Sequence, residues 1–349
     1  MSEVLVFTEP RQIDFERAED RPLEGKEIRV RTLYSGISAG TELTAYRGSN
    51  PYISKQWDAK KRLFLLSDSP SQPYPLSDWG YEEVGEVTEV GFEVSALKVG
   101  DIVYGTWGHR THHILLEEYA SQRVKPDGLD AILAIYSHIG PIALNGILDA
   151  NIHVGETVAV FGLGVLGQII AQLARLSGAR VVGVDMIEKR LELAKDLGAI
   201  EHGFNPRDGS PAEQIKDLTS GRGADVTIEV TGSTRALHEA GRASAYSARV
   251  VALGFFQGEA QGLFLGEEFH HNRISLVCSQ ISNVDPALSY RWDRIRMIHT
   301  IMDLQVKGLL NLRPVITHII PFKQAVKGFQ ILDETPDQAL QIVLDFSQQ

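Results

Sequence analysis

The stretch that most constrains this chain is residues 157–185, TVAVFGLGVLGQIIAQLARLSGARVVGVD. A short apolar run, 158–161, feeds directly into GLGVLG, so Gly162, Gly164 and Gly167 stand where a strand gives way to a helix. Gly162 permits the tight turn, Gly164 lets backbone approach a pyrophosphate, and Gly167 lets the helix pack closely on its strand. Phosphates then sit on unpaired N–H groups at the positive helix end, which adds Leu163, Val165 and Leu166 to the expected contacts. A second strand, 180–184, ends on Asp185, where a carboxylate accepts from the adenosine ribose hydroxyls. A glycine motif alone is weak, because glycine turns are common and need bind nothing. Strand, helix and terminal acid together favour a dinucleotide over a bland packing turn. Asp185 also repels a ribose 2′-phosphate, which favours NAD over NADP; the plainer reading is an ordinary strand-end carboxylate.

The rest of the composition narrows the partner. The 349 residues are enough for two domains with separate cores, and 43% hydrophobic with 23% charged residues is ordinary for a globular protein. A formal charge of −11 offers no electrostatic footprint for nucleic acid or an anionic membrane, so a small-molecule substrate is expected. MSEVLVFTEP carries no secretory pattern, and the apolar stretch 131–148 is broken by Ser137, His138, Pro141 and Asn145, so a cytoplasmic protein is expected. The single cysteine, Cys278, excludes an internal disulfide and any zinc site built from several thiolates.

In chain order, residues 2–9 and 27–35 read as strands, and SGISAGTEL as a turn running into a short helix. Residues 48–79 read as a long irregular excursion, followed by strands in GYEEVGEVTEVG and KVGDIVYG. This half is strand-rich and barrel-like. From Gly155 strands alternate with helices: 158–161, 180–185, 202–205, VTIEVTG, VVALGFF and ISLVCSQ make a doubly wound parallel six-stranded sheet. A helix at 292–306, VITHII, a helix at 323–332 and QIVLDF are expected to return to the first domain. The division is therefore 1–138 with 285–349, against 139–284.

The order SGISAGTEL, GYEEVGEV, KVGDIVYG, GLGVLG, EVTGS, VITHIIPF and QIVLDF resembles the medium-chain dehydrogenase/reductase superfamily, the alcohol, sorbitol and threonine dehydrogenase relatives. Within it, SGISAGTEL and the SQ before RWDRIR look most like a branch of bacteriochlorophyllide-type hydroxyethyl dehydrogenases. The resemblance covers nearly the whole chain and implies an α/β Rossmann domain, a GroES-like barrel catalytic domain and an active site in the cleft between them. It also implies hydride transfer between nicotinamide and an alcohol. In the cofactor domain it assigns Arg190 to the adenosine ribose, and Thr231, Gly232, Leu253, Gly254 and Phe255 to segments beside the nicotinamide. It further implies a homodimer through ISLVCSQ.

Zinc-using relatives hold the metal with a cysteine of the first motif, a histidine in GHE, and a cysteine or glutamate before the Rossmann strand. Here Ser38 or Ala39 takes the first place, Tyr81 replaces the histidine while Glu82 remains, and the third place falls on Ser137 or His138. Serine, tyrosine and one histidine do not make a tetrahedral zinc site, and the cysteine-rich lobe is missing, so neither catalytic nor structural zinc is expected. His109, His112 and His113 are read as solvated or pocket-lining. Without zinc a side chain must move the hydroxyl proton. His138 titrates nearest neutrality, with a buried histidine beside Asn145 as the plainer reading. Tyr81 can donate to a carbonyl oxygen, or simply plug the vacated cavity. Thr41 matches a hydroxyl relay, or caps the following helix. Glu82 orients a neighbour, or pairs with an arginine. Trp79, Trp107 and the 48–79 excursion are read as walls for a bulky or ring-shaped substrate. The leading expectation is a zinc-independent, NAD-linked alcohol dehydrogenase or carbonyl reductase. Quinone or enone reduction, and a non-catalytic dinucleotide-sensing module, stand as alternatives.

Overall fold

The computed structural model describes residues 2–66 and 69–347. Its chain divides into two compact units, residues 1–138 with 316–349, and residues 139–315.

The second unit is built on six parallel strands in the order His202–Phe204, Arg180–Val184, Thr157–Phe161, Ala224–Glu229, Ser244–Ala252 and Ser275–Cys278. Numbered along the chain this is the 3-2-1-4-5-6 order of a doubly wound sheet. Thr157–Phe161 lies near its middle and is buried at every position, as a run of TVAVF covered on both faces must be. The helix Val165–Leu176 buries Ile169, Ile170, Leu173 and Ala174, one apolar face at helical spacing, and the chain turns away at Gly178 with φ +89°. The outermost strand, Ser275–Cys278, is paired on one side only, and its Leu276 and Cys278 are exposed.

The helix Arg294–Val306 also belongs to this unit. Asp293 caps it by accepting from the Arg296 amide at 2.8 Å, and Met297, Ile298, Ile301 and Met302 form its buried face. That face packs on the helix Ile139–Ala150, where a Cβ on Gly140 would lie 2.5 Å from Ile301. The return to the first unit therefore comes after Val315 rather than at 285. Amphipathic spacing reveals that a helix has a buried face but not which neighbour covers it.

In the first unit the strand Glu27–Ile37 is shared by three partners. Its first part pairs with His112–Leu116, most of its length pairs with Glu83–Val90, and its last residues pair with Gln341–Asp345. Ile102–Gly105 extends the sheet beyond Glu83–Val90, and Ile316–Pro321 extends it beyond Gln341–Asp345. A hairpin, Ser2–Glu9 with Gln12–Ala18, adds Leu5 and Phe7 to a core that includes Ile37, Leu43, Phe322, Phe329, Ile342 and Leu344. Trp107 is not a pocket wall. It is buried in a second cluster with Val30, Val87 and Val103, and its indole N–H donates to Thr32 Oγ1 at 3.0 Å. Trp79 packs edge-on against Phe7, with ring centroids 6.5 Å apart. The 48–79 excursion has more order than its composition suggested. It holds a short helix, Pro51–Ser54, and a two-stranded ribbon, Gln56–Asp58 with Leu63–Leu65, clasped by the Tyr52, Trp57 and Phe64 rings; residues 67 and 68 lie outside the described residues. Among the described residues no single helix is long and apolar enough to cross a membrane.

Candidate active site

The glycine turn of the second unit is made by sterics. Gly162 has φ +99°, and a Cβ there would lie 2.6 Å from the Thr231 methyl. A Cβ on Gly167 would fall 1.9 Å from the Gly162 carbonyl oxygen, so helix and strand touch backbone to backbone. Gly164, which opens the helix, is the opposite case: its missing Cβ would meet nothing closer than Arg190 Nη1 at 3.9 Å. Space, a helix N-terminus and a guanidinium thus converge where an anion can be held. Leu163 has its side chain in the core and offers its backbone, while Val165 and Leu166, in the first turn, are partly exposed.

Asp185 does more than end its strand. Its Oδ2 accepts from the Leu163 amide at 2.7 Å, its Oδ1 accepts from the Ile187 amide at 2.8 Å, and Arg190 Nη1 stands 3.8 Å away. The acid therefore ties the glycine turn to the next βα turn, and each oxygen retains a lone pair for a ribose hydroxyl. Arg190 faces this acid.

A buried glutamate that sequence reading missed organises the next loop. Glu229 accepts from the Thr231 amide at 2.7 Å, from the Thr231 hydroxyl and from the Gly232 amide at 3.2 Å, while its own carbonyl receives the Leu253 and Gly254 amides at 2.9 and 3.0 Å. Burial pushes its carboxyl above the usual range despite these bonds. A Cβ on Gly254 would lie 2.2 Å from the Gly232 nitrogen, so the 231–232 and 253–254 segments run in direct contact. Phe255, next in line, is half exposed.

In the first unit the replaced positions come together. Ser38 Oγ and the Tyr81 hydroxyl are hydrogen-bonded, and the Thr41 side chain lowers the pKa of the same phenol. Thr41 sits at the start of the helix Glu42–Arg47 without capping it through its side chain. The Tyr81 ring lies against His138, with centroids 4.3 Å apart and planes inclined by 33°. Burial, Glu82 and Glu42 raise the phenol well above its ordinary value, against the lowering effect of Ser38 and Thr41. Ser137, the alternative to His138, is buried at the end of the turn Ala131–Ser137. Asn145 bonds Asp149 and Ser279 in the second unit.

Glu82 does not pair with an arginine. It is fully buried, no hydrogen bond of normal geometry reaches either oxygen, and a Cβ on Gly36 would strike Oε2 at 2.2 Å. Burial first, then Glu42 and Glu83, hold its carboxyl well above the usual range despite the Gln341 amide alongside. His109 is not solvated either. It is 1% exposed, with Nε2 2.6 Å from Glu42 Oε2 and Nδ1 2.7 Å from Ser35 Oγ. Ser35 donates in turn to Glu83 Oε1 at 3.0 Å, and Glu83 Oε2 accepts from the Trp107 amide at 2.7 Å. Burial drives the Glu83 carboxyl up to about 7. His112 and His113 are partly buried, and His113 stacks on Trp107 at 6.5 Å.

Ligand-type side chains close enough to hold a metal occur once among the described residues, as His238, Glu267 and Glu268. That group faces solvent in part, and Arg242 already stands 3.5 Å from Glu268, which disfavours a cation.

A family model described as zinc-binding dehydrogenase matches residues 165–295. D-guloside 3-dehydrogenases from Shigella flexneri and Escherichia coli are each 32% identical over 350 residues, spanning 98% of this chain and 99% of theirs. An L-threonine 3-dehydrogenase from Symbiobacterium thermophilum is 28% identical over 300 residues, 76% of this chain and 81% of its own. Among solved structures, 2R,3R-butanediol dehydrogenase from Bacillus subtilis has the same fold, with a TM-score of 0.79 at 20% identity over 99% of both chains.

Proposed function

The chain belongs to the medium-chain dehydrogenase/reductase superfamily, and from that membership we propose an NAD-linked dehydrogenase that oxidises a secondary hydroxyl of a sugar-like substrate, or reduces the ketone, without zinc. The observation that carries this reading is the Ser38–Tyr81 hydrogen bond, which joins Tyr81 to Ser38, one of the two residues (Ser38 or Ala39) that the resemblance sets at the first zinc-ligand place. The D-guloside 3-dehydrogenases, similar over nearly the full length, support a ring hydroxyl as the reacting group.

Zinc does not fit the residues present. Two hydroxyl oxygens bonded to each other offer neither thiolate nor imidazole, His138 beside Tyr81 brings one imidazole only, and the Glu82 carboxyl is turned against Gly36. NAD does fit. Gly162, Gly164 and Gly167 form the turn, the Gly164 face is open toward Arg190, and the Asp185 carboxylate is suited to ribose hydroxyls rather than to a 2′-phosphate. When bound, NAD supplies the hydride acceptor in oxidation and the donor in reduction. Tyr81 handles the proton. Its raised phenol stays protonated at neutral pH and gives its proton to the carbonyl oxygen during reduction, while Ser38 and Thr41 stabilise the phenolate left behind. In oxidation the same proton travels back from the alcohol. His138, packed against the ring with planes inclined by 33°, restricts its rotation.

The test combines metal analysis of unchelated protein with a panel of glycosides, polyols, ketones, quinones and enones. Turnover of a ring alcohol with NAD+, unaffected by chelators, is expected. About one zinc per chain with activity lost on chelation refutes the zinc-free reading, exclusive turnover of activated double bonds moves the enzyme to that chemistry, and NADH binding without turnover leaves a sensing module. The one-sided, exposed strand Ser275–Cys278 supports a homodimer through that edge, which light scattering of the purified protein checks.

A further inference from the structure

The buried groups behind Tyr81 form a continuous chain that the proton chemistry does not use directly. We infer that His109 and Glu42 act as a buried ion pair that positions the 38–41 turn holding the Tyr81 hydroxyl. This rests on the reading of Tyr81 as the proton-handling group.

Hydrogen-bond arithmetic assigns the protons. Glu42 accepts twice: Oε1 from the Ser38 amide at 2.9 Å and Oε2 from His109 Nε2 at 2.6 Å. With Glu83 ionised, the one hydroxyl hydrogen of Ser35 is directed at Glu83 Oε1, so its lone pair is what faces His109 Nδ1 at 2.7 Å. Both ring nitrogens then donate, and the ring is an imidazolium. The surroundings agree. Burial alone would lower the His109 pKa, but Glu42 and Glu83 together raise it. Its other neighbours include the edge of the Phe329 ring at 6.0 Å, the Trp79 carbonyl, which receives the His109 amide at 3.1 Å, the Leu5 amide, which donates to the His109 carbonyl at 2.9 Å, and Gly80.

The pair acts through the turn. Glu42 closes it from both sides, because its side chain takes the Ser38 amide and its own amide donates to the Ser38 carbonyl at 3.0 Å. Ser38 Oγ and Thr41 lie on that turn; Ser38 Oγ bonds the Tyr81 phenol, and Thr41 lowers its pKa alongside. His109 and Glu42 are fully buried and cannot themselves meet substrate; they are positioning residues.

His109→Gln keeps a donor toward Glu42 but removes the charge, and Glu42→Gln keeps an acceptor for the Ser38 amide but removes the anion. Each is expected to lower kcat about tenfold, with cofactor Kd and substrate KM within about twofold of wild type. Thermal unfolding and NADH titration report whether each variant is folded. Wild-type kcat in a folded variant overturns the inference, since a merely structural role lowers the melting temperature and not turnover per folded molecule. If neither variant folds, 15N NMR of the wild-type His109 ring decides: two protonated nitrogens at neutral pH support the pair, and a neutral tautomer overturns it. This measurement needs no turnover, so it separates failure of the ion pair from failure of the proposed activity.

Discussion

Replacing Gly167 by alanine tests the cofactor turn at its tightest point. The new methyl would lie 1.9 Å from the Gly162 carbonyl oxygen and 2.8 Å from its carbon, both backbone atoms that no rotamer change can clear. Restoring an ordinary contact requires helix and strand to part by roughly 1 Å or more, and overpacking of this kind costs about 1–3 kcal/mol. Alanine's helix propensity returns about 1 kcal/mol, so the net loss of stability is about 0–2 kcal/mol. The effect on cofactor is larger in proportion, because the first helical turn is what meets the pyrophosphate, and a shift of that size takes N–H groups out of hydrogen-bond range. Losing one or two such bonds weakens NADH binding about ten- to a hundredfold. Fluorescence titration with NADH reads the affinity and chemical denaturation the stability. Gly241→Ala is the control: it sits in the helix Thr234–Ala243, its Cβ meets nothing within 4 Å, and it is expected to stabilise the protein by up to about 1 kcal/mol with affinity unchanged. Wild-type NADH affinity in Gly167→Ala would refute the turn as the cofactor cradle.

Tyr81→Phe is expected to lower kcat by about 10²-fold or more, and Ser38→Ala by about tenfold, both with unchanged NADH affinity; steady-state kinetics at saturating cofactor checks this. The Glu83 carboxyl, raised to about 7, keeps its proton in the native state after the unfolded chain has lost it, so its contribution to stability falls as pH rises from about 4.5 through 7. His109, also raised, contributes stability that is lost as pH rises beyond its ordinary value, in the same direction. Urea midpoints at pH 5 and pH 8 are expected to differ less in Glu83→Gln than in wild type, by at most about 3 kcal/mol in stability; an equal or larger difference contradicts the assignment. Glu82→Gln is expected to stay within about 1 kcal/mol of wild-type stability, because an amide replaces a carboxyl whose protonated form burial favours; a loss of several kcal/mol in denaturation would mean that Glu82 is ionised.

What sequence could reveal follows from how far apart the interacting residues stand. The dinucleotide unit lies within residues 157–185, where each glycine's task is set by its immediate neighbours, and its strand order follows from the βα alternation. Ser38 and Tyr81 were visible only because motifs on either side fixed their register. The His109 network joins residues 67, 74 and 48 positions apart, and no local pattern encodes it. HRTHH therefore reads as a solvated or pocket-lining run, although alternation along the approach to His112–Leu116 puts one of its histidines inside. Glu229 carried a weak signal: an acid at a strand's end before TGS can cap the loop that follows, as it does here.

The two kinds of encoding differ in how charge is handled. Around Asp185 the carboxylate is met locally, by two amides and a nearby guanidinium, at the end of its strand. Behind Tyr81 three glutamates, Glu42, Glu82 and Glu83, are fully buried with a single imidazole among them. Ionising all three would leave an excess negative charge in a low-dielectric interior, which costs more than the fold can offset. The cluster instead moves toward neutrality: His109 faces Glu42, burial favours the protonated form of Glu82, and the Glu83 carboxyl is raised to about 7. Every carboxylate that does ionise there disfavours a phenolate, so the arrangement that keeps the first unit folded also keeps Tyr81 in its acid form. A tyrosine in that state is suited to giving a proton to a ketone, and the reduction direction is the one its surroundings favour.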